Sequence, residues 1–238
     1  MKQVFRVFWG CTLAAALALT GCGRGGAPGS SGAGSMSGSG SGAMSGGTAG
    51  QEQAWRTGLG VVTEAAGSDR AGKITTAAAA VVLDADGKLA DVMLDELELS
   101  VSGGSTGSVT TPEDVRSKRT KGEDYPLAAA SSLGKGWAEQ ADWFADYLTG
   151  RTPDEVKKLK TDENGKPQDA DLVSGCTIAV DRYRDAVVRA CEQAKALGAA
   201  QGDRATLSLI AADLPQDLAA TDDQDAHVQA DITLAALS

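Results

Sequence analysis

The stretch DLVSGCT (171–177) brings an acid, a Ser-Gly step, a thiol and a threonine hydroxyl together just ahead of a segment with helical periodicity. Its reactive groups are the side-chain oxygens of Asp171, Ser174 and Thr177 and the sulfur of Cys176. Little else in the chain offers chemistry. His227 is the only histidine and lies among polar residues, so Ser-His-Asp and Cys-His catalysis lack a partner. One histidine and widely spaced thiols do not make a zinc site. The chain has no Walker A loop, and residues 51–238 contain no G-x-G-x-x-G. Ser132-Leu133-Gly134-Lys135 fits S-x-x-K, but the accompanying S-D-N and K-T-G motifs are missing. Asp84 and Asp86 beside Gly87 hint at a calcium loop, yet no glutamate falls at the closing position, and a hairpin turn explains them.

The elements that must position this stretch follow from composition and periodicity. Lys2 and Arg6 precede a short apolar run (7–19) that ends in Leu19-Thr20-Gly21-Cys22, the pattern of an export signal over residues 1–22. The run is too short to span a bilayer. Its ending resembles the bacterial lipobox, which implies lipidation of Cys22 and a mature protein anchored to the cell membrane by acyl chains, on the extracytoplasmic face. The alternative is an ordinary secretory signal. Loss of Lys2 and Arg6 and of no acid takes the net charge from −10 to −12, which disfavours nucleic acid and anionic headgroups as partners.

Residues 23–50 hold twelve Gly and seven Ser in 28 positions and no Val, Ile, Leu or aromatic residue to bury, so they read as a flexible tether with a reach of about 30 Å. Residues 51–238 are enough for one domain. Within it, GLGVVTEA (58–65) and ITTAAAAVVLDADGKLADVMLDELEL (74–99) read as strands, the second broken by an Asp-Gly turn. Residues 102–124 read as loop with part of a strand. Trp137, Ala141, Phe144 and Leu148 form one helical stripe. Thr152-Pro153-Asp154-Glu155 opens a short capped helix. Tyr183, Ala186, Val187, Ala190, Cys191, Ala194 and Leu197 define a helix face, with Asp181 as cap and Gly198 as stop. If that segment is helical, the rise from Asp181 to Cys191 is about 15 Å. A disulfide accepts about 6 Å between Cα atoms, so Cys176 and Cys191 are expected to be unpaired. TLSLIA (206–211) echoes GLGVVT (58–63), and HVQADITLAAL (227–237) echoes KITTAAAAVVL (73–83). A partial repeat would add two strands (203–238) to a sheet edge; chance likeness of alanine-rich patterns is the alternative.

DLVSGCT resembles the D-x-x-S/T-G-A-T signature of FMN-binding domains, found in subunits of sodium-pumping NADH:quinone reductases, in Rnf electron-transport complexes and in flavinylated surface lipoproteins. The likeness extends in the family's order over residues 58–197: VVLDADGKLADVML (81–94), WFADYLTGRT (143–152) and SGCTIAVDRYRDAVVRACEQA (174–194) are similar to its hairpin, its helix with a Gly-Lys/Arg end, and its motif with the following helix. The resemblance implies an α+β fold, an antiparallel sheet with packed helices. It also implies covalent FMN, joined by a flavin transferase through its phosphate to Thr177, with Asp171, Ser174, Gly175 and Cys176 as the surrounding motif. Gly175 would take a positive φ and open the backbone to the nucleotide, and the amides before the helix would receive phosphate oxygens. Two departures stand out, Cys176 in place of alanine and Ala179 in place of a second hydroxyl.

These readings lead to an expected electron carrier that receives electrons from a membrane dehydrogenase and passes them to a redox partner or external acceptor. No substrate-polarising histidine or acid pair marks it as a substrate-transforming enzyme. The competing expectation is a surface binding or structural module of the same fold without flavin. Lys118, Arg119 and Lys121 are candidates to neutralise a phosphate, or else a solvated charge run. Tyr125 and Trp137 are candidates to stack on a flavin ring, or else packing residues.

Overall fold

The computed structural model describes residues 14–15, 54–68, 71–103, 109–110, 112–213 and 230–237. Cys22, the tether over 23–50 and His227 lie outside the described residues. The strands are β1 (Ala14–Ala15), β2 (Arg56–Ser68), β3 (Ala71–Leu83), β4 (Leu89–Gly103), β5 (Val109–Thr110), β6 (Thr206–Asp213) and β7 (Ala230–Leu237). The helices are α1 (Lys118–Lys121), α2 (Leu127–Ala130), α3 (Trp137–Leu148), α4 (Pro153–Lys157), α5 (Ala170–Val173) and α6 (Asp181–Gln193), with a 3-10 turn at Gly122–Asp124.

Strands β2-β3-β4-β5 form an antiparallel meander. The turn between β3 and β4 is built as the sequence predicts. Asp84 Oδ1 accepts from the amides of Asp86 and Lys88, at 2.9 and 2.8 Å, and Gly87 takes a φ of 78°. Those two bonds account for the Asp84 carboxylate as part of a turn. Asp162 repeats the device, accepting from Asn164 and Lys166 ahead of Gly165.

Strand β3 is buried on both faces, which is why it reads as an unbroken apolar run and not as an alternation. Ala77, Ala79, Val81 and Leu83 face the helices; Ala78, Ala80 and Val82 face the opposite side. On the helix side, α3 buries the predicted stripe of Trp137, Ala141, Phe144 and Leu148. α4 carries the predicted capping box, with Glu155 N donating to Thr152 Oγ1 and Thr152 N donating to Glu155 Oε2.

Helix α6 lies against β2 with almost no side chain between them. A Cβ on Gly58 would overlap the carbonyl of Ala190, and one on Gly60 would overlap the carbonyl of Ala186. Glycines at i and i+2 on the strand meet alanines at i and i+4 on the helix, so each period delivers a small residue to the seam.

The structure corrects four expectations. First, α6 ends at Gln193: Ala194 is extended and Lys195 exchanges backbone hydrogen bonds with Thr57, at 2.9 and 3.0 Å, so the sheet edge captures the chain. Leu197 is therefore 41% exposed instead of lying on the helix face. Second, Val180 holds the cap position, and Asp181 is the first helical residue. Third, β6 and β7 do not extend the edge of the meander. They pair with each other, with β1 parallel beside β7, and their sheet covers the far face of β3 and β4. The reason is apolar area: Leu97, Leu99 and Ala78 need cover, and Leu209, Ala211 and Ile232 supply it. Fourth, the charged segment before residue 124 folds into α1 and places Lys118 in the interior.

That lysine answers a buried acid. Glu96 on β4 is fully buried, the Lys118 ammonium sits against its Oε1, and the Arg182 guanidinium is 3.6 Å from its Oε2. Burial works against the Lys118 charge, but the Glu96 carboxylate outweighs it and holds the ammonium's pKa above its ordinary value. Isolated, such a carboxylate would cost several kcal/mol or more to bury, so the pair is needed wherever Glu96 is inside.

The close seam generates a stability prediction. Gly60→Ala forces α6 off β2 and is expected to cost about 1–3 kcal/mol or more, as overpacking does. A urea titration should show the loss as a lower midpoint at unchanged slope; an unshifted midpoint would contradict the seam.

Candidate functional site

The stretch 171–177 spans the end of a one-turn helix and the loop into α6. Asp169 caps α5 by accepting from the amides of Asp171 and Leu172, at 3.0 and 3.4 Å. Asp171 is exposed on that turn, and its backbone carbonyl accepts from the Ser174 hydroxyl at 2.7 Å. The Ser174 side chain thus braces the turn.

Gly175 is buried, and its φ is not positive. The expected positive φ is therefore wrong. Glycine is required for a different reason: a Cβ there would overlap Cγ, Cδ2 and Cε2 of the Trp143 indole. The backbone of the motif lies directly on the ring of an α3 residue.

Cys176 is buried in the helix-side core, where alanine would also fit by size. Burial pushes its thiol up to about 11, and Cys191, in the same core, is pushed up to about 12. Both are free thiols, as the spacing predicts.

Thr177 is half-buried and held by one side chain. Its amide and its hydroxyl both donate to Gln140 Oε1, at 2.9 and 3.1 Å. Gln140 is fully buried on α3, and its Nε2 donates to Ser131 Oγ at 3.0 Å and to the Lys135 carbonyl at 2.9 Å. With every polar group of that amide bonded, its carbonyl has one orientation, toward Thr177. The threonine hydroxyl spends its single proton on this bond and keeps its lone pairs for other partners.

Four amides of the loop are already bonded inside the protein. Gly175 N and Cys176 N donate to the Leu172 carbonyl, Thr177 N to Gln140, and Val180 N to the Gly165 carbonyl at 2.7 Å. Asp181 adds a carboxylate in the first turn of α6, where an anion would otherwise gain from the helix dipole. These four amides are taken up because the loop must turn sharply between α5 and α6 while burying Cys176.

The basic and aromatic candidates divide in the same way. Lys118 is committed to Glu96 and Glu98. Arg119 pairs with Asp142 at 2.7 Å and donates to the Leu94 carbonyl at 2.8 Å, and Lys121 donates to the Asp114 carbonyl. Tyr125 carries the Lys118 ammonium over its ring. Trp137 is 2% exposed, with its Nε1 donating to Tyr183 Oη at 3.1 Å, so it is core and out of reach of a ligand.

Three residues near Thr177 escaped the sequence reading: Gln140, Trp143 and Lys135. Trp143 is 41% exposed, and the Lys135 ammonium stands 4.7 Å from its ring centroid. Among the described residues Lys135 has no carboxylate partner. Gln140 did leave a signal, since it is a polar residue one turn after Trp137 inside an apolar stripe. Among the described residues no group of three or more His, Cys, Asp or Glu could hold a metal ion, and no helix is long and apolar enough to cross a membrane.

Comparison with protein-family models, with curated proteins and with solved structures gives no match for this chain.

The raised thiols have a measurable consequence. Thiolate is the reactive form, and a pKa of about 11 in place of the ordinary 9.0 lowers its population about a hundredfold near neutral pH. Ellman's reagent at pH 8 should leave Cys176 and Cys191 unmodified in the folded domain and modify both in guanidinium. Unfolded thiols ionise from pH 9 upward while the folded ones keep their protons to about 11, so native stability should fall as pH rises through that window. Rapid labelling of the native protein would contradict the burial.

Proposed function

We propose that this protein is a lipid-anchored, extracytoplasmic electron carrier with FMN held as a phosphoester on Thr177. The single observation that supports the reading best is the Thr177 hydroxyl itself, on a half-buried residue at the end of the Ser-Gly-Cys-Thr turn and held by a buried amide. The mixed α and β architecture, an antiparallel sheet with helices packed on it, agrees with the fold that the motif's resemblance implies.

The residues fit the group at the attachment atom. Esterification at Thr177 Oγ1 removes the proton that Gln140 Oε1 accepts, and the Thr177 amide keeps its own bond to the same oxygen, so the loop stays fixed. Gly175 and Cys176 hold the chain close to α3 on one side, and the hydroxyl of half-buried Thr177 keeps its lone pairs for a further partner. When bound, the flavin supplies reversible electron transfer, and the protein supplies attachment, exposure and electrostatics. A covalent link suits a compartment outside the cytoplasm, where a dissociated nucleotide is lost. Lipidation at Cys22 and the tether over 23–50 would let the domain sweep between a membrane dehydrogenase and an acceptor.

One observation favours a second reading, a binding or structural module without flavin: four of the loop amides are spent internally and Asp181 adds negative charge beside them. The same experiment separates the two. The full chain, coexpressed with a flavin transferase, is expected to gain a single FMN adduct by intact mass and to fluoresce on a denaturing gel. Thr177→Ala should abolish both. A wild-type chain at bare peptide mass, in the presence of a transferase active on a control substrate, overturns the carrier and leaves the module.

A further inference from the structure

We infer that the indole of Trp143 is the seat on which the isoalloxazine ring rests; this inference builds on the proposed attachment at Thr177. Large aromatic side chains on a small domain are ordinarily buried, and the other helical tryptophan, Trp137, is. Trp143 is held at the surface by a specific contact: its five-membered ring lies against the Cα of Gly175, which admits no side chain. The ring is therefore fixed by the motif itself, and Gly175 is two residues from Thr177. Two residues span at most ~7 Å of chain, about the reach of a ribityl phosphate.

The character of the ring matches its proposed partner. A cation over an aromatic ring marks an electron-rich face, and the Lys135 ammonium occupies that place. Isoalloxazine is flat and electron-poor, so it is drawn to the same ring by the same quadrupole, with added apolar contact. Lys135 has no carboxylate holding it among the described residues, and a flexible lysine yields its place on the ring without breaking an ion pair. Tyr125 and Trp137 do not compete: the first lies under Lys118 and the second is core. Trp143 is then a positioning residue for the flavin ring, distinct from the attachment residue.

The test uses the full chain modified by a flavin transferase, with intact mass to count adducts and flavin emission measured per adduct. A stacked indole quenches flavin emission, so the wild type is expected to be dim. Trp143→Leu should carry the same adduct and be several-fold brighter, and Trp143→Phe should fall between. Circular dichroism of the variants shows that the fold is kept. Equal brightness per adduct in wild type and Trp143→Phe, or in wild type and Trp143→Leu, overturns the seat and leaves the attachment standing. A wild-type chain without adduct overturns the attachment, and the seat with it.

Discussion

Helix α6 rests on β2 backbone against backbone, and that contact sets the position of everything near the candidate site. Gly58 and Gly60 leave no room for side chains, and Ala186 and Ala190 fill what space remains. Close approach of this kind trades side-chain area for dispersion between main-chain atoms, and it fixes the helix axis more tightly than a layer of leucines would. The loop that ends in Thr177 has little freedom once α6 is placed. Val180 N reaches back to Gly165, Cys176 plugs the core, and Gln140 takes up the amide and hydroxyl of Thr177.

A second constraint lies beneath the helices. Strand β4 sends Glu96 into the interior, and the charges that answer it come from two distant segments, Lys118 on α1 and Arg182 at the start of α6. Tyr183, beside Arg182, is pushed well above the usual tyrosine range by burial and by the nearby Glu96 carboxylate, and its hydroxyl receives the Trp137 Nε1 proton. Arg182, Tyr183 and Trp137 thus tie α6 and α3 to one buried acid. This network lies on the same side of the sheet as Thr177, joined to it through α3, where Trp137 and Gln140 stand on adjacent turns.

Much of the fold was legible because it is encoded locally. The Asp-Gly turn between β3 and β4, the Trp137 stripe and the Thr152 capping box each depend on residues within a few positions of one another, and each is found where the periodicity places it. What could not be read depends on long-range contacts. Lys118 looks like part of a solvated charge run until Glu96, far back in the chain, is seen beneath it. The echo of β2 and β3 in β6 and β7 was visible, but whether those strands join an edge or cover a face depends on the apolar area left open on β3 and β4. Helix α6 stops early because Thr57 captures Lys195, a partner that helical periodicity cannot reveal. At the site, the Ser-Gly-Cys-Thr turn was legible as a motif. The reason for its glycine was not, because Trp143 approaches from a different helix.

The order in which these contacts form follows from chain distance. Strands β2, β3 and β4 are joined by short connections, so the meander closes with little loss of chain entropy. The Arg189 guanidinium, which donates to the Val61 carbonyl, must cross a separation of 128 residues to do so. Docking of α6 therefore follows closure of the meander, and the segment just ahead of that helix is fixed only with it. Until that docking, residues 174–177 are loose chain, and the Thr177 side chain, half-buried in the folded domain, lies open to solvent.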